Sequence, residues 1–109
     1  SVSAFLLNRS SDLLVWRKDR QTRSRIIAQI GLGQIVKEVV VDRGHRNGPE
    51  VHKITTTGLV IIYNQRTGIM VTVLIARPNQ IKRYYAENEA PQKIINLAFE
   101  HMRAGYNKI

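Results

Sequence analysis

The chain of 109 residues contains no cysteine. Disulfides, a thiolate nucleophile and zinc–thiolate sites are therefore excluded, and the chain tolerates a reducing compartment. Acidic residues are scarce, eight in all and scattered. Neither an HExxH nor an EF-hand spacing occurs, and a two-metal nuclease, which draws on several convergent carboxylates, is poorly supported. No metal and no cofactor is expected. The glycines at 31 and 33 lack the rest of a GxxxxGK(S/T) loop and the third glycine of a dinucleotide fingerprint. Apolar runs are short, the longest being broken by Asn64 and Arg66, so none has the length of a membrane span. Val2–Leu7 is too short for the apolar region of a secretory signal and has no basic residues before it. A start at Ser1 without an initiator methionine fits a fragment of a larger protein. Repeats and low-complexity tracts are absent, and the length suits a single domain, residues 1–109, with one modest core.

Positive charge is plentiful. Seventeen Lys and Arg against eight Asp and Glu give a net charge of +9, and eleven of the seventeen are Arg. Arginine suits bidentate contact with phosphate, so the composition points to a polyanionic partner, nucleic acid before an acidic protein. A membrane surface is least favoured, because no helical stretch sets a basic face against a long leucine or aromatic face.

The periodicity predicts an α+β fold: N-terminal helices, an antiparallel β-meander, and a C-terminal helix packed on one sheet face. Residues 1–9 have no clear period and are expected to fray. Ser11 or Asp12 caps a short helix through Leu13, Leu14 and Trp16. Thr22 is the expected N-cap of a helix carrying Ile26, Ile27 and Ile30 on one face and stopping at Gly31. From Gln34, the spacing of Ile35, Val36, Val39 and Val40 predicts another short helix, although the run Val39–Val41 also suits a strand. Residues 43–49 (RGHRNGP) form a loop.

From Val51 the period changes to two. Gly58–Asn64 and Ile69–Ala76 read as strands joined by a hairpin in which Gly68 takes positive φ. Pairing Tyr63 with Ile69 sets Ile61 opposite Val71 and Leu59 opposite Val73. Leu59, Ile61, Tyr63, Ile69, Val71, Val73 and Ile75 then form the core face, and Val60, Ile62, Asn64, Met70, Thr72 and Leu74 a mixed face toward solvent or ligand. Gln80–Tyr85 reads as a third meander strand beyond Pro78. Pro91 starts a last helix with an apolar stripe of Ile94, Ile95, Ala98, Phe99 and Met102, ended by Gly105.

The candidate functional residues lie in and around the stretch from Glu50 to Tyr85. His45 in the loop and His52 at the start of the meander are acid/base candidates. They lie in a segment rich in Arg43, Arg46 and Lys53. Glu50 and His52, two apart on a strand, point to the same side, where a carboxylate can orient an imidazole. Thr72 offers a hydroxyl to a phosphate oxygen. Arg77, Lys82, Arg83, Tyr84 and Tyr85 interleave cations with rings, as backbone contact plus base stacking requires, and a tyrosine hydroxyl is available for proton transfer. His101, at the edge of the last helix stripe, is read as structural. The bland readings are a solvated basic surface, β-branched Thr72 as a strand former, and an edge strand guarded by charge.

These residue types suffice to cut RNA without a metal. A base removes the 2′-OH proton, the 2′-oxygen attacks phosphorus, an acid protonates the 5′-oxygen, and cations hold the developing charge. DNA has no 2′-OH. A non-catalytic nucleic-acid-binding module would use the same basic and aromatic face, and a basic protein that assembles with acidic partners is a third reading.

The meander pattern H-x-I-T-x-x-G-L-V-x-I-Y-N-x-x-T-G-x-x-V-T-V-L, beginning at His52 behind a histidine-bearing loop, resembles toxin domains of the barnase/EndoU/colicin/RelE superfamily. More narrowly it resembles the C-terminal nuclease domains of contact-dependent growth inhibition and related polymorphic bacterial toxins. The similarity covers about residues 33–85. It implies a cytotoxic endoribonuclease, often acting on tRNA, delivered from the producing cell as part of a larger toxin and acting in the target-cell cytoplasm. It also implies a cognate acidic immunity protein over the active cleft. Carried over as roles, it makes His45 and His52 acid/base candidates, Thr72 a phosphate binder, and Arg77, Arg83 and Tyr84 transition-state and RNA contacts. Arg43, Arg46, Lys53, Lys82 and Tyr85, beside these in the sequence, are the expected further RNA-binding residues.

Overall fold

The computed structural model describes residues 21–106; the helix expected from Ser11 or Asp12 and the fraying of residues 1–9 lie outside them. The described chain is α+β. Helix α1 covers residues 21–30. Four strands follow, β1 (Ile35–Val41), β2 (Glu50–Thr55), β3 (Leu59–Asn64) and β4 (Met70–Ile75), then α2 (Pro78–Arg83) and α3 (Gln92–Arg103). The strands form one antiparallel sheet in chain order, with β1 and β4 at the edges.

Helix α1 ends where expected. Gly31 takes φ 77° and its N–H reaches the Ile27 carbonyl at 2.9 Å, a left-handed stop that a Cβ would disfavour. Thr22 is inside the helix rather than at its cap.

The segment after Gln34 is a strand, not a helix. Five of the seven residues of β1 are Ile or Val, stiff side chains that fit a pleated sheet better than a helical turn. Burial alternates along it, with Lys37, Val39 and Val41 inward and Val36, Glu38 and Val40 outward. The helical spacing misled because Ile35, Val36 and Val40 are exposed, so it did not trace the buried face. Only a partner strand reveals which apolar residues count, and β2 supplies it.

The β2–β3 turn is held by threonine hydroxyls. Thr55 Oγ1 accepts from the Leu59 N–H at 3.1 Å, and Thr57 Oγ1 donates to the Gly31 carbonyl at 2.6 Å. Gly58 sits at φ 87° against the His101 ring, and His101, buried, donates Nε2–H to the Thr57 carbonyl at 2.9 Å. The structural reading of His101 holds.

The β3–β4 register differs from expectation by two residues. Ile61 pairs with Val73 and Leu59 with Ile75. Tyr63 pairs with Met70 and Ile62 with Thr72, so the hairpin takes in one more residue and Val71 is left as a bulge. A shift of two preserves the faces, but their roles are reversed. The face of Val60 and Ile62, expected to meet solvent, carries the main core: with Ile54 it packs against Ile81, Ile94, Ile95 and Ala98 of α2 and α3. Leu59 and Ile61 on the opposite face are buried as well, where Arg23 of α1 donates to the Val73 carbonyl at 3.0 Å. Burial pushes the Arg23 guanidinium below its ordinary value.

Gln80–Tyr85 is not a strand. Pro78 occupies the first turn of α2, Ile81 is buried one turn on, and Lys82 and Arg83 lie in the last turn, where the helix dipole favours cations. Helix α3 begins directly after Pro91 and ends before Gly105 at φ 78°. Ile94, Ile95 and Ala98 are buried as expected, whereas Phe99 and Met102 are not.

Candidate functional site

Cross-strand pairing sets Val39, His52, Ile62 and Thr72 in one row across the four strands. His52 therefore shares the helix-packed face with the core, and α2 lies over it. The imidazole is 3% exposed and both its nitrogens are engaged. Nε2 is 3.2 Å from Glu50 Oε1, and Nδ1 is 2.6 Å from the Tyr84 hydroxyl. Gln80 Nε2 donates to the same hydroxyl oxygen at 3.4 Å. The Glu50–His52 contact follows from strand alternation, and the Tyr84 contact from α2 being a helix.

The donor directions follow from the groups. With Glu50 ionised, its carboxylate can only accept, so it accepts the Nε2–H hydrogen bond and Nδ1 keeps its lone pair. Tyr84 then donates its O–H to Nδ1, and its oxygen turns its remaining lone pairs toward Gln80 and the space beyond. A carboxylate, an imidazole and a hydroxyl in this order can shift one proton from hydroxyl to ring, with the carboxylate opposing the charge formed. Glu50 is partly open to solvent, its side chain 26% exposed.

An open recess of about 350 Å³ is bordered by Arg77, Asn79, Gln80, Arg83, Phe99 and Met102; Tyr84 is not among the residues that line it, and Gln80 links the two. Gln80 belongs to both: it lines the recess and touches the tyrosine. Arg77 and Tyr84 flank α2 as its N-terminal and C-terminal caps, and Gln80 lies within it. The described lining includes two arginines and no acid, so the recess is electropositive.

The other candidates lie elsewhere. Thr72 is in the His52 row but two strands away, about 10 Å by strand spacing, with Ile62 between, and it does not border the recess. His45 is exposed with Arg43 and Arg46 in the loop at residues 42–49. The loop is shaped by Asp42 Oδ1 accepting from the Gly44 N–H and by the His45 carbonyl accepting from Gly48; among the described residues the His45 ring forms no hydrogen bond. Lys53 points to the other sheet face, over the Tyr63 ring at 4.7 Å and 3.6 Å from Glu38. Lys82 is exposed. Tyr85 packs against the core with Lys37 over its ring at 5.1 Å. Its hydroxyl is shut off from solvent with no hydrogen-bond partner among the described residues, and burial pushes its pKa up. The structure thus brings together His52 and Tyr84, sets Arg77 and Arg83 around a recess that Gln80 links to Tyr84, and holds Lys53 and Tyr85 in other contacts.

Gln80, Phe99 and Met102 were not expected at the site. Gln80 is recognisable only once Tyr84 is known to follow it by one helical turn. Phe99 and Met102 belong to a stripe wider than its helix can bury, and that excess width is a signal in the sequence.

Among the described residues no three His, Asp or Glu side chains gather in one place, and no helix is long and apolar enough to cross a membrane. Comparison with protein-family models, with curated proteins and with solved structures returns no match to this chain.

Proposed function

We propose that this chain is an endoribonuclease that cleaves RNA by 2′-OH attack without a metal ion, with Tyr84 as the group that receives the proton. The observation that carries the reading is the 2.6 Å contact between the Tyr84 hydroxyl and His52 Nδ1; Gln80, which bonds the same hydroxyl, lines a recess with Arg77 and Arg83. His52 is too buried to meet RNA itself, so it acts through the tyrosine. As Tyr84 passes its proton to His52, its oxygen takes the proton of the 2′-OH. The 2′-oxygen bonds to phosphorus and the bond to the 5′-oxygen breaks. The leaving oxygen is protonated from solvent, and Glu50 stabilises the imidazolium. Arg77 and Arg83 oppose the charge on the phosphorane. The products are a 2′,3′-cyclic phosphate and a 5′-hydroxyl.

The net charge of +9 and the resemblance of residues 33–85 to polymorphic toxin nucleases support the same reading. With that resemblance go the further proposals: a toxin domain that inhibits neighbouring bacteria, tRNA as substrate, delivery within a larger protein, and an acidic immunity protein as partner. The test is incubation of purified protein with total RNA in EDTA, with the ends of the products identified. Cyclic phosphate ends that disappear in the Tyr84→Phe and His52→Ala variants support the proposal. Salt-dependent binding with no product would instead identify a binding module that uses the same arginines.

A further inference from the structure

Phe99 and Met102 are each 42% exposed, three residues apart on one face of α3, whereas Ile94, Ile95 and Ala98 of the same helix are buried and Leu97 is half-buried. Single exposed apolar residues are ordinary. These two are not isolated: from α3 they line the same recess that Arg77 and Arg83 line from the α2 side. An aromatic ring and a thioether in one recess with two guanidinium groups match the two halves of a nucleotide, a flat base and an anionic phosphate. Asn79 on the rim adds an amide that can both donate to and accept from a base edge.

We propose that this recess is a subsite for one unpaired RNA nucleotide, with its phosphate on Arg77 and Arg83 and its base against Phe99 and Met102. The proposal rests on the ribonuclease reading and narrows its substrate to single-stranded segments such as loops, bulges and ends. A volume of about 350 Å³ is at the small end of ligand sites. In an A-form duplex the base faces are already stacked on one another, so a paired base has no free face for Phe99. Gln80 joins the recess to Tyr84, which places the bound base next to the phosphate to be cut.

The experiment measures binding, so that it stands apart from cleavage. A short 2′-O-methyl oligouridine, which lacks the attacking hydroxyl, and the same sugar–phosphate backbone without bases are titrated into wild type, Phe99→Ala and Phe99→Trp at fixed salt. Thermal melts serve as the folding control. Phe99→Ala should weaken binding of the oligouridine by roughly 5- to 100-fold and leave binding of the base-free backbone unchanged, while Phe99→Trp retains affinity. Equal affinity of wild type and Phe99→Ala for the oligouridine overturns the subsite, as does equal weakening for both probes. If the wild type cuts RNA and Phe99→Ala binds normally, the subsite fails and the ribonuclease reading stands. If nothing is cut and the stacking signature appears, the reverse holds.

Discussion

Replacing Tyr84 by Phe removes one oxygen and keeps the ring, whose centroid lies 5.6 Å from that of His52. Two consequences can be separated by magnitude. For the fold, His52 Nδ1 loses its partner inside a site 3% exposed, and an unsatisfied buried acceptor costs about 1–3 kcal/mol. A domain of this size has a stability of roughly 5–15 kcal/mol. Even the worst combination leaves about 2 kcal/mol, enough to keep roughly 97% of molecules folded. Unfolding therefore accounts for a few per cent of any lost activity. For the chemistry, removing the proton acceptor is expected to lower the cleavage rate by about 10²- to 10⁴-fold. The assay is single-turnover cleavage of a labelled oligoribonucleotide in EDTA, with thermal melts of both proteins. A Tyr84→Phe variant that keeps more than about one-tenth of the wild-type rate would refute the proton-transfer role and leave Glu50–His52–Tyr84 as a polar strut between sheet and helix.

Four further outcomes are expected. Arg77→Ala with Arg83→Ala, both exposed, should leave the melting temperature nearly unchanged and reduce the salt slope of RNA binding by roughly 1.4, about 0.7 for each single-strand phosphate that is no longer neutralised; an unchanged slope places the phosphates elsewhere. His45→Ala should cleave within about threefold of wild type, because no hydrogen bond among the described residues holds that ring and an unpositioned group contributes little acid catalysis; a loss near 10²-fold would make His45 the acid. Tyr85→Phe removes a closed-off hydroxyl that has no partner among the described residues and should be neutral or stabilising by about 1 kcal/mol in a denaturant titration. Since burial raises the Tyr85 pKa above its ordinary 10.0, the unfolded chain gives up this proton first, and wild-type stability falls as pH rises from that value toward the folded one; the Phe variant should lack that alkaline loss, and identical slopes would count against it. Gly58→Ala, at φ 87° with the His101 ring 3.4 Å from the added carbon, should cost about 1–3 kcal/mol; a neutral result would mean that the turn relaxes.

The linear sequence carried what depends on near neighbours. Period-two alternation placed β2, β3 and β4 and put Glu50 and His52 on one side, because side chains two apart on a strand share a face whatever surrounds them. Gly31, Gly68 and Gly105 marked their turns because each conformation, at φ 77°, 70° and 78°, is set by the residue itself. The α+β class follows from the same local rules.

Tertiary structure decided whatever depended on a distant partner. Ile35–Val41 is a strand because β2 lies beside it, and Gln80–Tyr85 is helical because Pro78 starts a turn that buries Ile81 against α3. The face of Val60 and Ile62 became the core because the helices settled there, a choice on which alternation is silent when both faces of a strand are apolar. The site itself is of this kind. Tyr84 meets His52 across 32 residues of sequence, and the recess joins Arg77 to Phe99 and Met102 across two helices. Local spacing holds no record of such contacts, which exist only when packing of apolar faces brings separate segments together.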